Sequence, residues 1–357
     1  MPVLKPPAPS HPPAVALPDP TPKSPFPPKP FRIDPVTLSN RLKSLSLTAL
    51  GAVFGLGLAG AVAFQPVQAF AQAVDVAPAP AVSRAVPQAE GAGPALWVVR
   101  DADSTLYLFG TVHVLRPTTA WGSARVDAAF DSADQVWFEI SNPDDQAAVM
   151  PLIQQYGLSP DRPLSSLLTA EEMTVLNAIA GSAGMPAGQI DVFRPWLAGL
   201  VLSVAPVMKA GYEPQSGVEL VLKARAEAAG KPIQAFETVD KQVGILAGMS
   251  EADQLASLRL LLESWSDSTA ELDQMVAAWA SGDVQRLEEL AVAEMQTETP
   301  ALYEALLVRR NTDWADQIQT MLAGSGTVFI AVGAAHLAGD DSVQEILGDR
   351  GVTVTRE

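Results

Sequence analysis

Histidine is scarce in this 357-residue chain, which holds His11, His113 and His336 and no other. His113 ends the run Tyr107-Leu-Phe-Gly110-Thr-Val-His113, and His336 ends Phe329-Ile-Ala-Val-Gly333-Ala-Ala-His336. Each is an apolar stretch, a glycine, two small or β-branched residues and then an imidazole. With glycine at about 7% of average usage, finding it three residues before both by chance is about a one-in-200 event. Two further apolar runs end in carboxylates, Val136-Trp-Phe-Glu139 and Ile233-Gln-Ala-Phe-Glu237. Two imidazoles and two carboxylates form a donor set for a first-row divalent metal. A metal held there lowers the pKa of bound water and polarises a carbonyl, which is hydrolytic chemistry.

Such a site needs elements that bring distant residues to one edge. Short β-rich runs lie at 96–100, 105–109, 135–140, 232–237, 327–332 and 352–355, the first two joined by Asp101-Ala-Asp-Ser104 as a hairpin. Ala/Leu-rich stretches with helical spacing fill 146–156, 164–180, 195–210, 218–229 and a series from 251 to 322. Gly230 and Gly351 punctuate helix ends before strands. Arg194-Pro-Trp196 reads as a helix start with proline in the first turn. The expected fold is α/β: a mixed β-sheet with the site at strand C-terminal ends and a large helical insertion. Ligands in open α/β sheets bind outside the carboxyl ends of strands. Glycine before each histidine permits a sharp turn or a close approach there. No internal repeat suggests a solenoid.

The N-terminal part has a different character. Residues 1–43 are rich in proline and read as a disordered tail with a basic flank, Arg41 and Lys43. An uncharged apolar run from Leu45 to Phe64 leads to Ala69-Phe70-Ala71, so 44–72 reads as a signal peptide or a single membrane anchor. Residues 73–94 form an Ala/Pro linker, and 95–357 the folded domain. Either reading of 44–72 expects an exported domain, periplasmic or membrane-anchored and facing outward. The chain carries −17, and residues 1–72 hold six basic and two acidic side chains, leaving −21 on the remainder. That charge argues against a nucleic-acid partner. The absence of cysteine excludes disulfides, thiolate metal sites and a cysteine nucleophile. There is no G-x-S-x-G, no H-E-x-x-H and no P-loop. The G-x-G-x-x-G at Gly55 to Gly60 falls inside the apolar run, where small residues in a membrane helix explain it.

Gly110-Thr-Val-His113, the strand ending in Phe138-Glu139, Lys231-Pro-Ile-Gln-Ala-Phe-Glu237-Thr-Val-Asp-Lys-Gln242, Arg310-Asn311 and Val332-Gly-Ala-Ala-His336-Leu together resemble the TraB/GumN family, which is related to Tiki-type metalloproteases. The resemblance runs from about Leu96 to the C-terminus. It implies a metal-dependent hydrolase of the cell envelope acting on a peptide or amide bond of a peptide or small-molecule substrate, with manganese or cobalt as the cofactor and zinc left open. Carried over, it assigns His113, His336, Glu139 and Glu237 as metal ligands, with Glu139, Glu237 and Arg310 as catalytic groups. Arg310 would stabilise a developing oxyanion. Gly217-Val-Glu219 resembles a family element in which an acidic residue opens a helix, and Glu219 is a weaker candidate. Two alternatives stay open: a metal-independent, esterase-like hydrolase, and a non-catalytic haem- or metal-binding envelope protein.

Overall fold

A computed structural model of the chain describes residues 85–186, 188–265 and 268–357. The tail, the apolar segment at 44–72, most of the linker and His11 lie outside the described residues. Among the described residues no helix is long and apolar enough to cross a membrane.

Six strands form one mixed sheet: β1 (Leu96–Arg100), β2 (Ser104–Thr111), β3 (Gln135–Phe138), β4 (Ile233–Ala235), β5 (Gly326–Gly333) and β6 (Val354–Arg356). Their order is β4-β3-β5-β2-β1-β6. β4, β3, β5 and β2 pair in parallel, and β1 runs antiparallel to both β2 and β6. The hairpin between β1 and β2 is closed by Asp101, whose carboxylate accepts the backbone N–H groups of Asp103 and Ser104. This is the local turn chemistry short acidic side chains favour. β2 and β5 pair over their full length, from Ser104 against Gly326 to Thr111 against Gly333. The two Gly-x-x-His segments therefore leave the sheet side by side.

Side-chain alternation divides the core into two layers. Leu106, Leu108, Val328, Ile330 and Val332 face one side, where Trp314, Ala315 and Ile318 of the helix Arg309–Leu322 and Val343 and Leu347 of the helix Val343–Asp349 cover them. Phe109, Phe329 and Ala331 face the other, against Phe130 of the helix Ala124–Ser132 and the large helical insertion. The insertion enters after β3 and after β4 and includes the helices Pro195–Lys209, Val218–Ala228, Val239–Ala247, Glu251–Ser264 and Ser268–Ser281. Pro195 starts its helix with Arg194 as N-cap, and Gly230 and Gly351 take left-handed φ of 65° and 82° at helix ends, where glycine avoids the Cβ clash.

Candidate functional site

Four parallel strands deliver four side chains to one edge. His113 lies two residues beyond β2, Glu139 directly follows β3, Glu237 lies two beyond β4, and His336 sits in the 3-10 turn Ala334–Leu337 after β5. Backbone pairing continues past the strands, with Phe236 N–H to Phe138 O at 3.0 Å and Glu237 N–H to Glu139 O at 2.9 Å. That register places the two glutamates next to each other. The two motif glycines have different reasons. At Gly110 a Cβ would stand 3.1 Å from both Cα and Cβ of Ala334, so glycine lets the two turns touch. Gly333 has φ −49°, open to any residue, and its N–H donates to Glu139 Oε1 at 2.8 Å. The Gly110 carbonyl accepts from Trp279 Nε1 at 2.8 Å.

The centre is Arg310, which is 2% exposed. One NH2 hydrogen goes to Glu139 Oε2 at 2.5 Å and the other to Glu237 Oε2 at 2.9 Å, while Nε–H meets Glu237 at 3.1–3.2 Å. NH1 donates to Leu306 O at 3.2 Å and to His336 Nε2 at 3.0 Å. All five guanidinium N–H groups are engaged, so Arg310 acts on any ligand through its charge and through the groups it holds. The π-helical turn Glu304–Val308 ends two residues before it and supplies the Leu306 carbonyl. Burial works against the charge of Arg310, but Glu139 and Glu237 more than offset this and raise its pKa.

His336 is fully buried and tilted against the Trp314 ring at 4.4 Å. Asn311 Nδ2 donates to Asp341 O at 2.7 Å, which aims Asn311 Oδ1 at His336 Nδ1, 2.5 Å away. The proton of His336 is thus on Nδ1, and Nε2 accepts from Arg310.

His113 is built differently. Its Nδ1 lies 2.7 Å from Glu219 Oε1, which also accepts the Thr111 hydroxyl. Its Nε2 is buried without a hydrogen-bond partner, 4.0 Å from Glu139 Oε1. Glu139 Oε1 also lies 3.8 Å from His336 Nε2, so both imidazoles flank one carboxylate oxygen. Burial opposes charging of His113, but the charge and hydrogen bond of Glu219, with Glu139 behind them, win and raise its pKa, against an opposing effect of Arg310. Burial likewise works against ionised Glu219, and His113 and the Thr111 hydroxyl outweigh it, so its pKa is lowered.

All five residues singled out by sequence, His113, Glu139, Glu237, Arg310 and His336, meet in this cluster. Glu219 joins them in direct contact with His113, a stronger position than its place in the sequence suggested. Gln242 and Asn311, part of the resembling segments but given no role from sequence, also join: Gln242 Nε2 donates to Glu139 Oε2 at 3.0 Å and Glu237 Oε2 at 3.3 Å. Lys241, partly exposed, reaches Glu237 at 3.7 Å and Asp313 at 2.7 Å.

Among the described residues no three His, Asp or Glu side chains are grouped as an assembled metal centre. The donors nonetheless fit a divalent cation beside His113. Its Nε2 is an orphaned buried nitrogen 4.0 Å from Glu139 Oε1, with the buried Glu219 on the other ring nitrogen and the buried Glu237 beside Glu139 on the Arg310 guanidinium. His336 Nε2 would join only by giving up its hydrogen bond from Arg310.

The model of the TraB/PrgY/gumN family matches residues 95–356. The chain is 23% identical over 256 residues to the uncharacterized protein YbaP of Escherichia coli (strain K12), covering 71% of this chain and 92% of that protein. It is also 23% identical over 275 residues to an uncharacterized protein of Treponema pallidum (strain Nichols), covering 71% of this chain and 80% of that one. With the family's model spanning nearly the whole described region, the chain belongs to the TraB/PrgY/gumN family.

Proposed function

We propose that this chain is a hydrolase in which His113, held by Glu219, activates water for attack on a carbonyl. One observation carries the reading: a buried imidazole has one nitrogen committed to a buried carboxylate at 2.7 Å and the other unpartnered beside a second carboxylate. The same division of labour orients a general base wherever a carboxylate fixes the tautomer of a histidine. With its proton on Nδ1, neutral His113 offers the Nε2 lone pair to a water. Glu139 Oε1, 4.0 Å away, is placed to orient that water. His113 then returns the proton to the leaving group. The cluster is shielded from solvent, with His113 at 6%, Glu139 at 2% and His336 at 0% exposure, which strengthens the hold of Arg310 on Glu139 and so fixes the carboxylate that orients the water. His336 and Asn311 keep Arg310 in place. The scissile bond is proposed as a peptide or amide bond and the setting as the cell envelope, in keeping with the resemblance of the site residues to the TraB/GumN family and its relation to the Tiki-type proteases.

A second reading adds a divalent ion, manganese, cobalt or zinc. Three buried carboxylates, Glu139, Glu219 and Glu237, against the single guanidinium of Arg310 favour it, as does the bare His113 Nε2. His113 and Glu139 would hold the ion, which would supply Lewis acidity to the bound water.

The test is turnover by the purified full chain and its His113→Asn variant on a panel of fluorogenic peptides, anilides and aryl esters, each with and without chelator. Hydrolysis that drops by about 100-fold or more in the variant supports the proposal. Hydrolysis that persists unchanged in the variant removes His113 from the reaction. No turnover across the panel counts against the hydrolase.

A further inference from the structure

Residues 111–115 and 213–219 run antiparallel and are tied at both ends and near the middle. At one end Leu115 and Glu213 exchange both backbone hydrogen bonds, at 3.3 and 2.9 Å. In the middle Val218 N–H donates to Val112 O at 3.0 Å. At the other end Glu219 accepts from the Thr111 hydroxyl and meets His113 Nδ1. Just beyond the first end, Arg116 donates to Ala210 O at 3.1 Å, pairs with Asp273 at 2.6 Å and lies 4.3 Å over the Tyr212 ring. The hydroxyl of Tyr212 donates to the same aspartate. The segment that carries His113 is therefore held by one strap of the helical insertion.

The tightest contact of the strap is Gly217. A Cβ on this glycine would stand 2.1 Å from the carbonyl oxygen of His113, 2.8 Å from its carbonyl carbon and 2.8 Å from Pro214 O. These are backbone atoms and cannot rotate aside. The φ of −59° and ψ of 141° suit any residue, so close approach is what demands glycine here.

We propose that the strap Glu213 to Glu219 is the positioning element for His113, holding the preceding carbonyl of Val112 through Val218, lying against the His113 carbonyl at Gly217 and gripping the His113 ring through Glu219. The proposal rests on His113 being the group that activates water, and it assigns Gly217 a positioning role without contact to substrate. A methyl at Gly217 forces the His113 carbonyl back by more than about 1 Å to reach ordinary nonbonded separation. A misplacement of that size costs on the order of 100-fold in rate.

The test reads geometry without needing turnover. Two variants press on the strap by opposite means. Gly217→Ala inserts bulk. Val218→Pro removes the N–H that holds Val112 O while keeping a compact apolar side chain at this buried position: Val218 is the first helical residue, where proline is tolerated, and the ψ of Gly217 is that of a residue before proline. The full chain is labelled with ¹⁵N-histidine and the imidazole N–H protons are recorded, assigned through His113→Asn and His11→Gln. His113 Nδ1–H, bonded to Glu219, and His336 Nδ1–H, bonded to Asn311, serve as the two reporters. Loss or displacement of the His113 resonance in both variants, with His336 unmoved, is the expected result. Should Gly217→Ala fail to fold, Val218→Pro decides alone. An unmoved His113 resonance in folded variants overturns the proposal, and so does equal displacement of both imidazoles, which marks a general scaffold effect. A wild-type protein that shows these spectra and hydrolyses nothing fails the hydrolase reading and leaves the strap intact.

Discussion

Arg310→Met is the perturbation whose cost can be worked from the structure. The guanidinium is 2% exposed and is held by Glu139 at 2.5 Å and Glu237 at 2.9 Å, both carboxylates also buried. Removing one partner of a buried ion pair costs about 3–5 kcal/mol because the other charge is left unpaired. Here two carboxylates are stranded, and the Leu306 carbonyl and His336 Nε2 lose their donor as well. The expected loss is at least about 3 kcal/mol, a large share of the roughly 5–15 kcal/mol that holds a domain together. Equilibrium urea unfolding followed by tryptophan fluorescence measures it. The triple variant Arg310→Met/Glu139→Gln/Glu237→Gln removes the stranded charges and regains much of the loss. A cost below about 1 kcal/mol for Arg310→Met, the value of an exposed pair, would refute the buried ionic centre.

Three further outcomes follow from particular contacts. Gly110→Ala drives a methyl to 3.1 Å from the Ala334 backbone and should destabilise by about 1–3 kcal/mol in the same unfolding assay. Trp279→Phe leaves the Gly110 carbonyl without its indole donor and should cost about 1 kcal/mol, against no measurable change if that bond is dispensable. For the divalent-ion reading, manganese, cobalt or zinc at about 100 times its dissociation constant should stabilise the stripped protein by about 2.7 kcal/mol, with protons released as His113 is ligated. The His113→Asn protein should show no such shift, and absence of a shift in the wild type removes that reading.

The sheet and the ends of its central strands were legible because each run is apolar, β-rich and bounded by glycine or a carboxylate. The repeated Gly-x-x-His step tied two of those ends together, and parallel pairing supplied Glu139 and Glu237. Glu219 and Gln242 were harder to see. Each sits on a helix of the insertion, where a polar residue at the start of a helix has an ordinary explanation. Their partners are distant along the chain, Thr111 and Glu219 being 108 positions apart and Glu139 and Gln242 103. No local spacing links them. The helix Ala124–Ser132 escaped because its buried face is only Val126, Ala129 and Phe130, too few for a clear period. Arg310 was visible only through its resemblance to the family, since a charged residue beside another arginine on a helix otherwise reads as a solvated face. What sequence could not supply is the direction of its side chain, inward across the π-helical turn Glu304–Val308.

The pH dependence of kcat/KM in the wild type and in Glu219→Gln tests the role of His113 most directly. His113 must be neutral to accept a proton from water, and its pKa is raised above the ordinary histidine value by Glu219 acting against burial. Activity should therefore rise with pH through a midpoint above about 6.5, and removing the charge of Glu219 should move that midpoint to lower pH while the plateau falls. A limb in the same place in both proteins would contradict the account.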